Sequence, residues 1–157
     1  MTNATITPNY GISGHDTIVS EIDIAAPMER VFRAISDEKE ILRRSPELAA
    51  YELDPRVGGK WRLELHMPKP HHGVATVRHD GEILEFDPPR LLVYTWTANF
   101  HKNPAHVSIV RWELTAADSG THVKVTHSGL AAEPGAAKDY AGGWPGVLDM
   151  LKKFVEQ

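Results

Sequence analysis

Apolar and polar residues alternate with a period of two along most of this chain, and the period turns helical in two stretches. Between His15 and Ile24, positions Ile18, Ser20, Ile22 and Ile24 alternate with Val19, Glu21 and Asp23, which predicts a strand. Pro27 suits the first turn of a helix, and Met28, Val31, Phe32 and Ile35 recur behind it at helical spacing. Ser36 and Asp37 then offer a cap for a second short helix, Asp37 to Arg44, closed by Pro46.

Six strands follow without interruption. Leu48 to Leu53 leads into a turn over residues 54–59. Lys60 to His66 sets Trp61, Leu63 and Leu65 on one face against Lys60, Arg62, Glu64 and His66 on the other. Residues 67–73, rich in Pro and His, read as a loop, and Val74 to Phe86 reads as a long strand bent or bulged at Gly81. Arg90 to Ala98, Val107 to Leu114 and Thr121 to His127 complete the run, with turns at 87–89 and 118–120. Gly129 to Ala137 reads as a connector with room for a short helical turn. A last helix runs from about Ala137 or Tyr140 to the end with Trp144, Val147, Leu148, Leu151, Phe154 and Val155 on one face, and Pro145 places the start of its regular part near Trp144.

This order predicts an α+β helix-grip architecture: a curved seven-stranded antiparallel sheet wrapped around a long C-terminal helix, with two short helices after strand one. Strand twist accumulates across such a meander, so the sheet curls. A helix about 10 Å across leaves part of the concave side unfilled. Residues 1–14, polar and holding Pro8 and two Gly, read as a flexible lead-in, and 15–157 as one domain.

Composition narrows the function classes. The absence of Cys rules out a disulfide framework, a thiolate zinc site and a Cys nucleophile. A net charge of -4, with no basic run longer than Arg43-Arg44 or Lys152-Lys153, disfavours nucleic acid as a partner. The polar start lacks a signal-peptide pattern, and no stretch approaches the roughly 18 apolar residues of a membrane span. The expected location is cytoplasmic.

The space left beside the helix is expected to be a pocket walled by Trp61, Leu63 and Leu65, Tyr94 and Trp96, Val110 and Trp112, and Trp144 and Leu148. Val77 shares a face with His79, and Val123 and Val125 share one with His127. These two histidines are the candidate polar anchors, and burial is expected to keep them neutral. Taken singly, each aromatic is better explained as core and each His as a satisfied interior residue, and it is the set on one concave face that points to a pocket. No catalytic set or cofactor motif is evident. His71 and His72 are a bare pair in a loop, no helical His pair offers metal ligands, and His127 and Ser128 point apart along a strand.

An ordered set of short pieces is more specific than any one of them. It comprises Ile22 to Pro27 with Val31-Phe32, then Val57-Gly58-Gly59-Lys60-Trp61, and Gly81 through Glu85 into Pro88-Pro89-Arg90-Leu91. Tyr94-Thr95-Trp96, Gly120-Thr121 leading to Thr126-His127, and Gly143-Trp144 with Leu148 and Leu151 complete it. Together these resemble the activator of heat-shock-protein-90 ATPase homologue-like family of the START-like, birch-pollen-allergen-like helix-grip (SRPBCC) superfamily. The chain departs from that family at Phe32 and near Arg43-Arg44-Ser45, where tryptophans are often found. The resemblance implies a hydrophobic ligand cavity.

The leading expectation is a non-catalytic binding protein for a small hydrophobic or amphipathic molecule, such as a lipid, polyketide or aromatic metabolite. His79, His127 and Tyr94 would orient the polar end of that ligand. One alternative is an aromatase/cyclase- or hydrolase-like enzyme that uses a cavity His as general base. Another is a co-chaperone acting on a chaperone ATPase. The chain is expected to be a monomer or a homodimer, with Leu91 and Val93 forming an outer apolar patch for pairing.

Overall fold

The computed structural model describes residues 3–8 and 15–157. A single antiparallel sheet runs in the order β1-β2-β8-β7-β6-β5-β4-β3. Its strands are β1 (Asn3–Pro8), β2 (His15–Ile24), β3 (Ala50–Leu53), β4 (Lys60–His71), β5 (Val74–Asp87), β6 (Leu91–Ala98), β7 (Ser108–Ala117) and β8 (Gly120–Ser128). Helices α1 (Met28–Ser36) and α2 (Glu38–Arg44) bridge β2 to β3, and α3 (Pro134–Val155) ends the chain. The seven expected strands are β2 to β8, and the architecture is the helix-grip fold. An eighth strand lies where the lead-in was expected: Asn3–Pro8 pairs antiparallel with β2. The remainder of that expected lead-in lies outside the described residues.

The alternation read from the sequence sets the core. Ile18, Ser20, Ile22 and Ile24 of β2 are all buried, as are Val110, Trp112 and Leu114 of β7 and Val123, Val125 and His127 of β8. On the facing helix, Tyr140, Trp144, Leu148, Leu151 and Val155 are buried at helical spacing. The C-terminal end of α3 is fastened to β2. Lys152 Nζ donates to the Asp23 carbonyl at 3.0 Å, and Glu156 accepts from the Ala25 N–H at 2.7 Å. Asp37 caps α2 by accepting from the Glu40 N–H at 3.0 Å. Among the described residues, no helix is long and apolar enough to cross a membrane.

Four local expectations are corrected. First, β4 continues through 67–71 instead of opening into a loop, with its pairing to β5 irregular between His66 and His71. Pro68 and Pro70 fall in that irregular stretch, where no ladder N–H is required. Second, α3 begins at Pro134, slightly before the expected start at Ala137 or Tyr140, and stays regular through Pro145 instead of starting its regular part near Trp144. An interior Pro forfeits one helical bond, but burial of Tyr140 before it and Trp144 and Leu148 after it holds both halves in one helix.

Third, the register shift in β5 falls between Ile83 and Glu85, not at Gly81. Gly81 meets a different need. A Cβ there would stand 1.9 Å from the Thr95 carbonyl oxygen. That oxygen accepts the Trp61 indole N–H at 2.8 Å, while the Glu82 N–H bonds to Thr95 Oγ1 at 2.8 Å. Fourth, Leu91 and Val93 form no outer patch, being only 7% and 4% exposed. Val93 pairs with Glu85 on one side and Arg111 on the other, and these two form an ion pair at 3.4 Å beside it. Their long side chains take up the surface that Val93 would otherwise show to water.

Candidate functional site

A cavity of about 390 Å³ opens between α3, α2 and the concave face of β3 to β7. It falls in the range of roughly 300–1,000 Å³ usual for small-molecule sites. The walls are mainly aromatic. Trp61 packs against Tyr94 and Trp96 with ring centroids 4.9 and 5.2 Å apart, and Trp144 of α3 meets Trp112 at 5.7 Å and Trp96 at 5.8 Å.

Nine of the expected wall residues line this cavity: Trp61, Leu63, Leu65, Val77, His79, Tyr94, Trp96, Trp112 and Trp144. Val110, His127 and Leu148 do not, and each is fully buried behind the wall. Strand parity gave the side of the sheet for Val110 and His127, and helical spacing the inward face for Leu148, but neither gave their depth, which depends on where α3 lies across the sheet.

His127 is fully engaged by protein. The Trp144 indole can only donate, so at 3.2 Å it fixes His127 Nδ1 as an acceptor and the proton on Nε2. That Nε2–H donates to Ser108 Oγ at 2.8 Å, and Ser108 passes its proton to the Trp96 carbonyl at 3.2 Å. No lone pair is left over, and Ser108 is held as a donor to backbone rather than as a nucleophile. Burial depresses the His127 pKa to about 3, aided by the nearby His79 and His101.

His79 differs. Its Nδ1–H donates to the Thr97 carbonyl at 3.2 Å, which leaves Nε2 as an acceptor on a ring that lines the cavity. Burial lowers its pKa to about 4, against the smaller raising effect of the Thr97 bond.

Hydrophobic periodicity does not mark the polar groups contributed to the wall by α2, β3 and the first turns of α3. Arg44 lines the cavity, donating from Nε to the Ala34 carbonyl at 2.9 Å and from Nη1 to Ser45 Oγ at 3.2 Å. Tyr51 lies nearby, 9% exposed, with burial pushing its phenol well above the ordinary range. Tyr140 accepts the Trp96 indole N–H at 3.1 Å and shares a 2.7 Å hydrogen bond with His101. Tyr140 was expected only as a possible start of the last helix, not as a wall residue, and His101, read as a loop residue, is buried against it.

At the rim, the β4–β5 hairpin tip meets α3. His72 bonds to Asp139 Oδ2 at 2.6 Å, and His71 Nε2 approaches the same oxygen at 3.4 Å. His72 takes a left-handed backbone conformation, φ 47°, which turns its ring to the same side as His71. Among the described residues these three form one group whose donor atoms all lie within 4.8 Å of each other, a donor set suited to a divalent transition metal. The pair at 71–72 was visible in the sequence; its partner on α3, 67 residues further on, was not.

The comparisons fit this architecture. The family model for Activator of Hsp90 ATPase homolog 1-like protein matches residues 25–156. Among solved structures, protein MLL2253 from Mesorhizobium loti is similar at 27% identity and a TM-score of 0.71, over 88% of this chain and 96% of that one. Protein CV1439 from Chromobacterium violaceum shares the fold at 24% identity and a TM-score of 0.71, over 90% and 99%. CalU16 from Micromonospora echinospora shares it at 22% identity and a TM-score of 0.68, over 99% and 83%. No curated protein matches the chain in sequence.

Proposed function

The chain belongs to the Activator of Hsp90 ATPase homolog 1-like family, and we propose that its cavity binds a small hydrophobic or amphipathic molecule without transforming it. The observation that carries this reading is an aromatic-walled space of about 390 Å³ beside a helix that does not fill it. Burial in that space would hold the apolar body of a ligand at about 25 cal/mol per Å² before the costs of association. His79, with its free acceptor nitrogen, and Tyr94 would orient the polar end. His127 drops out of that role because its ring nitrogens are both occupied.

The same geometry weighs against general-base catalysis. His79 has a free nitrogen on the wall, and at a pKa of about 4 it is a weak base near neutral pH, while His71, also on the wall, sits at the rim against Asp139. Native mass spectrometry of freshly purified protein tests the reading. A one-to-one small-molecule adduct, released on acid unfolding, is the expected result. Bare protein that also takes up no apolar probe would contradict it.

A further inference from the structure

The chain has nine arginines. Eight are paired with carboxylates: Arg30, Arg33 and Arg43 with Glu40, Arg56 with Asp54, Arg62 with Glu52 and Glu64, Arg78 with Glu64, Arg90 with Asp87, and Arg111 with Glu85 and Glu113. Among the described residues Arg44 is the exception, and it is the arginine on the cavity wall. Glu47 also lines the cavity and its charge acts on Arg44, but Glu47 is exposed and forms no ion pair with it. An Arg side chain stays charged in any protein setting, so a positive charge stands beside Tyr51 and Tyr94 with no carboxylate in ion-pair contact. Such an arrangement is costly unless something anionic completes it.

The hydroxyls beside Arg44 point to the same chemistry. Tyr94 Oη accepts the Trp112 indole N–H at 2.9 Å, so one of its acceptor positions is filled while its own proton has no acceptor among the described residues. Tyr51, also on the wall, makes no hydrogen bond from its hydroxyl among the described residues. The guanidinium field reaches both phenols, opposing the rise that burial imposes on each. One end of the cavity therefore offers a cation and two O–H donors with nothing to receive them. His79, the acceptor on the wall, comes from β5.

We propose that Arg44, Tyr51 and Tyr94 form an oxyanion-binding end of the cavity, and that the ligand is an amphipathic anion with a carboxylate or comparable oxyanion head. The planar fork of Arg44 already spends Nε and Nη1 on the Ala34 carbonyl and Ser45, which fixes its plane and leaves Nη2 for the ligand. This inference rests on the cavity-binding reading above and adds the charge and polarity of the guest.

The test compares decanoate with decanol, each displacing the neutral fluorophore N-phenyl-1-naphthylamine from the full chain at neutral pH. Uptake of the neutral fluorophore by the wild type reports the cavity reading alone. The ratio of the two displacement constants reports the oxyanion end. The wild type is expected to bind decanoate at least about tenfold tighter than decanol, the fold-change usual for a charged hydrogen bond. Arg44→Gln is expected to bring the ratio to within about twofold, and Tyr51→Phe, which keeps the ring, to lower it by several-fold. Fluorophore uptake with no preference for decanoate overturns the oxyanion end and leaves the cavity reading standing. A preference that survives both substitutions overturns it as well, and absence of fluorophore uptake overturns both.

Discussion

Trp144 donates its indole N–H to Nδ1 of His127 at 3.2 Å, and this one bond decides what His127 can do. It sets the tautomer, sends the other ring proton to Ser108, and closes a chain that ends on the Trp96 carbonyl. Trp144→Phe keeps an aromatic ring but strands a buried acceptor. The variant is expected to lose about 1–3 kcal/mol of stability, read as a lower midpoint in urea at unchanged slope.

Two neutral buried histidines make stability depend on pH. His127 and His79 have folded pKa values lowered by burial to about 3 and about 4, whereas the unfolded chain protonates them near 6.5. The unfolded state therefore binds more protons below pH 6.5. Stability from these groups is complete above that pH and is lost as pH falls towards their folded values. The slope approaches about 2.7 kcal/mol per pH unit when both groups contribute. His122 has the opposite sign, because hydrogen bonds to Glu21 and Asp23 raise its pKa. Its contribution is present below the unfolded pKa and is lost as pH rises through the folded one, and its exposure keeps it small. His101, whose pKa burial also lowers, adds to the loss from His79 and His127 with the same sign. Thermal melts from pH 7 to 5 are expected to show a falling midpoint, and His79→Gln to remove part of the fall.

Gly81 of β5 lies against the Thr95 carbonyl of β6, leaving no room for a Cβ. Gly81→Ala places a methyl group against the Thr95 carbonyl, the acceptor for Trp61, and neither strand can withdraw without breaking pairs. A loss of about 2 kcal/mol or more is expected in chemical denaturation. Alanine at Gly142, which has open space around it, serves as the control. There the change is expected to be small or favourable, since Ala outranks Gly in a helix by about 1 kcal/mol.

The His72–Asp139 contact ties the hairpin tip to α3 at the cavity rim. Asp139→Ala is expected to raise amide hydrogen exchange at residues 71–74 by several-fold while β7 and β8 stay protected, the pattern of local opening. Equal exchange in both proteins would show that the contact holds nothing in place.

Much of this was legible in the sequence because it depends on local periodicity. The alternation in β2, β4, β7 and β8 gave the inward faces, and nine of twelve expected wall residues line the cavity. What was not legible depends on long-range placement. Arg44 looked like half of an ordinary basic pair, and only the fold shows that Arg43 turns out to Glu40 while Arg44 turns in. Tyr51 read as one residue of a short strand, and Tyr140 as a helix-start residue whose partners on β6 and at His101 lie far away in sequence. Asp139 joins His71 and His72 only after the whole sheet has been traversed.

The central claim is that the terminal helix leaves room for a guest. Titration of N-phenyl-1-naphthylamine into wild-type protein and Leu63→Trp, followed by probe fluorescence, tests it most directly. Leu63 lines the cavity, and the larger ring takes up part of its space. The account predicts saturable, one-to-one uptake by the wild type and at least about tenfold weaker uptake by the variant, whose melting temperature shows it still folded. No saturable uptake by the wild type, or equal uptake by the two proteins, would contradict it.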